Sequence, residues 1–142
     1  MNIKNALKQK NKLVQELNQL IQRMVINNTV IEDNQRPYSS KETLAQVYKK
    51  VEEINVLKTQ IHRANAPVYE KIFQMAEIKG IIKELKKMDV SEGKQDSRYG
   101  SVVSVKEVEM TVIERDAIVK EYEAEVEKIQ NELDIHNSNT II

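Results

Sequence analysis

Apolar residues recur at Ile3, Leu7, Leu13, Leu17, Leu20 and Met24, spaced by three, four or their sums, which is the period of a helix with one buried face. Val14, Ile21 and Val25 widen that stripe beyond a strict coiled-coil seam, so the helix predicted over 3–28 should meet more than one neighbour. The β-branched cluster Val25, Ile26, Thr29, Val30 and Ile31 weakens the helix near its end, and Asp33 to Pro37 has turn composition. Ser39-Ser40-Lys41-Glu42 has the form of a capping box and opens a second helix, predicted over 40–64. Its apolar positions Leu44, Val47, Val51, Ile54, Leu57 and Ile61 keep nearly to a heptad, the strongest periodic signal in the chain.

Pro67 can open a new helix or kink an old one, and the reading here is a break. A third helix follows over 67–89, with Val68, Ile72, Met75, Ile78, Ile82, Leu85 and Met88 on its apolar face and Gly80 as a weak point. The polar run from Asp89 is a loop over 89–104, ending in the short β-branched stretch 101–104. That stretch should be extended and must pair with another copy or with the loop itself. Ser104-Val105-Lys106-Glu107 repeats the capping-box pattern, so the last helix is predicted over 105–134. Its 4-3 pattern runs through Val108, Val112, Val119, Tyr122, Val126, Ile129 and Leu133, and Arg115 takes one core-type slot. The tail 135–142 loses the period and is expected to be irregular. The expected fold is all-α: elongated antiparallel helical hairpins or a coiled-coil bundle of about four helices in a single domain, with one extended segment near 101–104.

Composition supports this reading. The 142 residues include only three Gly and two Pro, too few to punctuate a sandwich or barrel. The absence of cysteine excludes disulfides, thiolate metal sites and a cysteine nucleophile. No run approaches the ~20 apolar residues that span a bilayer, and the start of the chain has no apolar leader core, so a cytoplasmic protein is expected. The formal net charge of zero conceals an uneven distribution. Residues 1–31 carry Lys4, Lys8, Lys10, Lys12 and Arg23 against Glu16 alone, whereas residues 99–142 carry four basic side chains against ten acidic ones. The first and last helices are therefore expected to lie antiparallel, with Lys4, Lys8 and Lys12 near Glu121, Glu123, Glu125 and Glu127.

Candidate chemistry is sparse. His62 and His136 have no metal-ligand spacing, and no phosphate loop, dinucleotide fingerprint or nucleophile elbow is present. Alternating glutamates from Glu121 to Glu127 point about 200° apart on a helix, which disperses charge rather than focusing it on a substrate. No cofactor and no enzymatic activity are expected. Arg115 at a core-type position needs a partner and is a candidate for a buried register pair.

Ile61-His62-Arg63-Ala64-Asn65, the pair Arg98-Tyr99 before the extended stretch, and the closing run from Leu133 through His136 and Asn137 to Thr140 come in an order that resembles the septicolysin-like family of small bacterial coiled-coil proteins. The resemblance implies a helical architecture and no particular activity. The expected function is a non-enzymatic coiled-coil scaffold or protein-interaction module that forms a homo-oligomer or binds another protein. Arg98 and Tyr99, on the loop, are candidate interaction residues by position. The alternative is nucleic-acid or ribosome binding through Lys4, Lys8 and Lys12, which share one helix face. Membrane-surface binding by the same helix is a third class.

Overall fold

A computed structural model describes residues 1–96 and 103–142. It is mostly helical (73%), with four α-helices and a small two-stranded sheet. The helices are α1 (Ile3–Ile26), α2 (Ser40–Ala64), α3 (Tyr69–Lys87) and α4 (Val112–Asn139), and the strands are β1 (Gly93–Asp96) and β2 (Val103–Lys106). Two compact units divide the chain: Met1–Val68 together with Asp134–Ile142, and Tyr69–Leu133. Among the described residues no helix is long and apolar enough to cross a membrane.

The first unit is built on the α1–α2 hairpin. Asn2 caps α1 by accepting from the Asn5 N–H at 2.9 Å, and Ser39 Oγ caps α2 by accepting from the Glu42 N–H. At the far end α1 stops at Ile26, two residues before the predicted boundary. The Asn27 and Asn28 carbonyls accept from the Arg36 guanidinium, so the turn caps the helix that precedes it. Asp33, at φ 69°, makes the reversal in a left-handed conformation that short polar side chains tolerate. Ser40 Oγ then donates to the Met24 carbonyl at 2.7 Å and fixes the start of α2 against the end of α1.

Buried residues lie at the opposite end of this hairpin. Ile3 and Ala6, both fully inaccessible, cluster with Leu57 and Ile61, and Leu7, Leu13, Ala64 and Ile142 pack against them. The predicted irregular tail is corrected here: α4 continues through Asn139, and residues 134–142 belong to this unit. The Ile3 N–H donates to the Thr140 carbonyl and the Ile142 N–H to the Met1 carbonyl, clasping the two termini in antiparallel fashion. His136 Nε2 lies 3.1 Å from the Ala64 carbonyl, one of the orphan acceptors at the end of α2. These partners offset the poor helix propensity of Asn137, Ser138 and Asn139, which local composition alone would leave uncoiled.

The predicted break at Pro67 matches the structure: α2 ends at Ala64, Ala66–Val68 form one 3₁₀ turn, and α3 starts at Tyr69, two residues after the predicted boundary. In the second unit α3 and α4 run antiparallel, since Lys71 pairs with Glu132 near one end and Arg115 reaches the Met88 carbonyl near the other. Gln74 bonds Glu125 at 3.1 Å and Lys86 pairs with Glu123 at 2.9 Å between them. Of the α4 glutamates expected beside Lys4, Lys8 and Lys12, Glu123 and Glu125 have these partners on α3. Glu123 and Glu132 pair with α3, while Lys12 and Lys50 of the first unit pair with Glu16. Ile78, Val119, Ile129 and Leu133 are the buried apolar positions of this unit.

The predicted start of the last helix at 105 is also corrected. Gly93 to Asp96 pairs in antiparallel register with Val103 to Lys106, so the described part of the expected stretch, Val103 and Ser104, pairs with the loop itself, while residues 101 and 102 lie outside the described residues. The apparent capping box at Ser104–Glu107 is mostly strand. The working cap is Thr111, whose Oγ1 accepts from the Glu114 N–H. Asp89 clamps the base of this β-hairpin: it accepts from Lys106 Nζ, the Ser91 hydroxyl and the Ser91 N–H. Lys106 and Ser91 together hold its carboxyl well below the usual carboxylate range.

A carboxyl whose acidity is raised in the folded state contributes stability above its unfolded value, and loses it as pH falls toward the folded one. Asp89→Asn should therefore speed exchange of the ladder-bonded amides of β1 and β2 at neutral pH. The difference from the unaltered chain should shrink progressively as pH falls below about 3.9. Equal exchange rates at pH 7 would show that the clamp contributes nothing.

Candidate interaction surface

A helix pair can cover only part of a wide apolar stripe. Opposed residues of α1 and α2 follow an antiparallel register, seen in Met24 with Ser40 and Glu16 with Lys50. Leu13, Leu17, Leu20 and Met24 are half-buried, while Val47, Ile54 and Leu57 are buried. The residues that widened the stripe lie about 60–100° further around α1. Near the base of the hairpin that sector is covered by residues 134–142, where Leu7 lines a cleft with Asp134, Asn137 and Ser138. Toward the turn it stays open: Ile21 is 37% exposed and Val25 65%, beside Leu44 at 39% and Tyr48 at 65%. A shallow groove of about 390 Å³ between Met24, Val25, Asn28, Ser40, Lys41 and Leu44 marks this apolar face.

The opposite face of the same hairpin is charged. Glu16, Arg23, Lys49, Lys50 and Glu53 line it. Lys50 Nζ donates to Glu16 at 3.1 Å and to Glu53 at 3.3 Å, and these two carboxylates, Glu16 first, raise the lysine above its ordinary value. Arg23 stacks on the Tyr38 ring at 4.3 Å. The hairpin is thus amphipathic across its two faces, one charged, with Lys50 paired to Glu16 and Glu53, and one open and apolar. A contiguous exposed apolar surface marks a site of association.

The three lysines of the predicted basic face stay aligned on α1 and differ in their neighbours. Lys4 and Lys8 line the cleft beside Asp134, and Lys12 lies 4.0 Å from Glu16. An acidic neighbour therefore accompanies each part of the surface that a polyanion would have to contact. Arg115, 17% exposed, bonds Asp116 of its own helix at 2.9 Å and directs an N–H toward the Met88 carbonyl at 3.4 Å. Its ion pair is thus within α4, and its contact across to α3 is to a backbone acceptor at that helix's end. Arg98 and Tyr99 lie outside the described residues. Among the described residues no cluster of three His, Cys, Asp or Glu is arranged to hold a metal ion.

Ile21 and Val25 stand out in the sequence by widening the α1 stripe, whereas Leu44, expected in the α2 seam, is 39% exposed. What the stripe did not disclose is which end would be covered, because that depends on the tail continuing as helix. Comparison with known protein families, with characterised proteins and with solved structures finds no match to this chain.

Proposed function

We propose that this chain is a non-enzymatic helical scaffold that self-associates through coiled-coil-like packing of its exposed helix faces. The observation that carries this reading is the open apolar face of the α1–α2 hairpin, set back to back with a charged face. Covering such a face removes apolar area from water at about 25 cal/mol per Å², and an identical face on a second copy is the partner always present at equal concentration. Nucleic-acid binding through α1 is the weaker reading, since Lys4, Lys8 and Lys12 have Asp134 and Glu16 as near neighbours. The architecture fits a septicolysin-like scaffold in the cytoplasm.

Solution mass by light scattering coupled to size exclusion, at low and at high salt, tests the proposal. A mass of at least twice 16.5 kDa at both salts is expected, because apolar burial is insensitive to screening. A monomer across the micromolar range would refute it.

A further inference from the structure

We propose that two copies of this chain dock face to face about a two-fold axis, α1 against α1 and α2 against α2, each pair antiparallel. This rests on the self-association proposed above and names its surface and geometry.

Three observations select a second copy in this arrangement. The first is the extent of the open face. On α1 it lies between Lys8, where residues 134–142 cover the base, and Asn27, where the helix ends, so its middle falls near Asn18. The hairpin register that opposes Met24 to Ser40 and Glu16 to Lys50 places the matching middle of α2 at Val47. Two identical faces overlap fully only when these midpoints coincide and the helices run in opposite directions.

The second observation is charge. Along the outer edge of the face on α2, Lys41, Tyr48 and Glu52 recur at spacings of seven and four, one stripe on a helix. Lys41 and Glu52 are both exposed and form no ion pair among the described residues. They sit six and five residues on either side of Val47, within one residue's rise of equal distance. An antiparallel two-fold therefore sets Lys41 of each copy against Glu52 of the other, twice. A uniformly basic or acidic partner would satisfy one of these charges and oppose the other.

The third is the edge on α1, formed by Asn11, Gln15, Asn18 and Gln22, all exposed and all neutral. An amide carries donor and acceptor together, so this edge complements itself. Rotation about the midpoint brings Asn18 to Asn18 and sets Gln15 within one residue's rise of Gln22 of the second copy. Polar residues at such a place fix register, as at coiled-coil seams. Between the two edges Ile21 and Val25 of one copy fall on Val14 and its surroundings in the other, and Leu44 and Tyr48 close over the centre.

Charge reversal distinguishes this geometry from any other. Lys41→Glu alone and Glu52→Lys alone each replace two attractions by two repulsions and should weaken dimerisation about tenfold or more. Mixed in equal amounts, the two variants should form a heterodimer close to wild-type strength. In that heterodimer the glutamate introduced at position 41 of one copy faces the lysine introduced at position 52 of the other, and the unaltered Lys41 faces the unaltered Glu52. Sedimentation velocity reads all three samples, and far-UV circular dichroism verifies that each is folded. Leu44→Glu at the centre should weaken association about a hundredfold in the same assay. A dimeric wild type whose reversed variants dissociate no more readily, or fail to recover on mixing, would overturn this surface while leaving self-association standing. A wild type that is monomeric throughout would overturn both.

Discussion

Removing residues 140–142 should destabilise the first unit by about 2–4 kcal/mol, a large effect for three residues at a chain end. The deletion eliminates the acceptor for the Ile3 N–H, the bond from the Ile142 N–H to the Met1 carbonyl, and the Thr140 hydroxyl beside His136 Nδ1. It also strips Ile142 from the cluster formed by Ile3, Ala6, Leu57 and Ile61. Each backbone bond contributes about 0.5–1.5 kcal/mol net, and uncovering apolar side chains adds the remainder. Urea unfolding followed by circular dichroism measures the change. A midpoint unaltered by the deletion would mean that the clasp is ornamental and that the α1–α2 hairpin holds its base unaided.

The second large effect is positional. Ile54 and Val56 lie two residues apart on α2, on different sides of the helix, at 4% and 60% exposure. Ile54→Asp puts a carboxylate into the buried row without a partner, which costs more than about 4 kcal/mol and should unfold the unit. Val56→Asp lies on the solvent side and should stay within about 0.5 kcal/mol of the parent. Thermal melts of the two variants side by side are decisive. Equal behaviour would show that the hairpin does not bury the face described for it.

Much of this architecture is legible in the amino-acid sequence, and the exceptions share a cause. The bounds of α2 could be read because its heptad is nearly unbroken and Ser39 supplies a local cap; both signals reside within the segment itself. Asn65-Ala66-Pro67 likewise terminates the helix by local chemistry. The errors at α4 concern residues whose state is decided elsewhere. Ser104, Val105 and Lys106 have a cap's composition, but Lys94 and Gln95, with their neighbours in β1, offer them a ladder, and the helix waits for Thr111. Asp134 to Asn139 lack an apolar period, and they are helical because α1 and the end of α2 provide partners for their backbone and for His136. Tertiary contact overrides propensity at both ends of one helix.

The candidate surface follows the same division. The excess width of the α1 stripe could be counted from Val14, Ile21 and Val25, so the need for additional neighbours was visible. Which part the protein covers by itself depends on the tail, and only the folded arrangement leaves the half near the turn open. Lys4, Lys8 and Lys12 are aligned on one face as their spacing requires. Their acidic neighbours, Asp134 from the far end of the chain and Glu16 from the next turn, diminish them as a binding patch. Arg115 keeps its partly covered position, but its acid comes from the adjacent residue instead of the facing helix.

Face-to-face docking is tested most directly by an inter-copy distance. The chain has no cysteine, so Ala45→Cys and Thr59→Cys each give a single site for a spin label on exposed turns of α2. Antiparallel docking about Val47 places the two labels at residue 45 across neighbouring helices, about 8–10 Å between axes. Labels at residue 59 are separated by about 36 Å along the helix direction at 1.5 Å per residue. Pulsed dipolar spectroscopy on the two samples should therefore return a short distance for residue 45 and a much longer one for residue 59. Absence of dipolar coupling in both, or equal distances at the two positions, would contradict it.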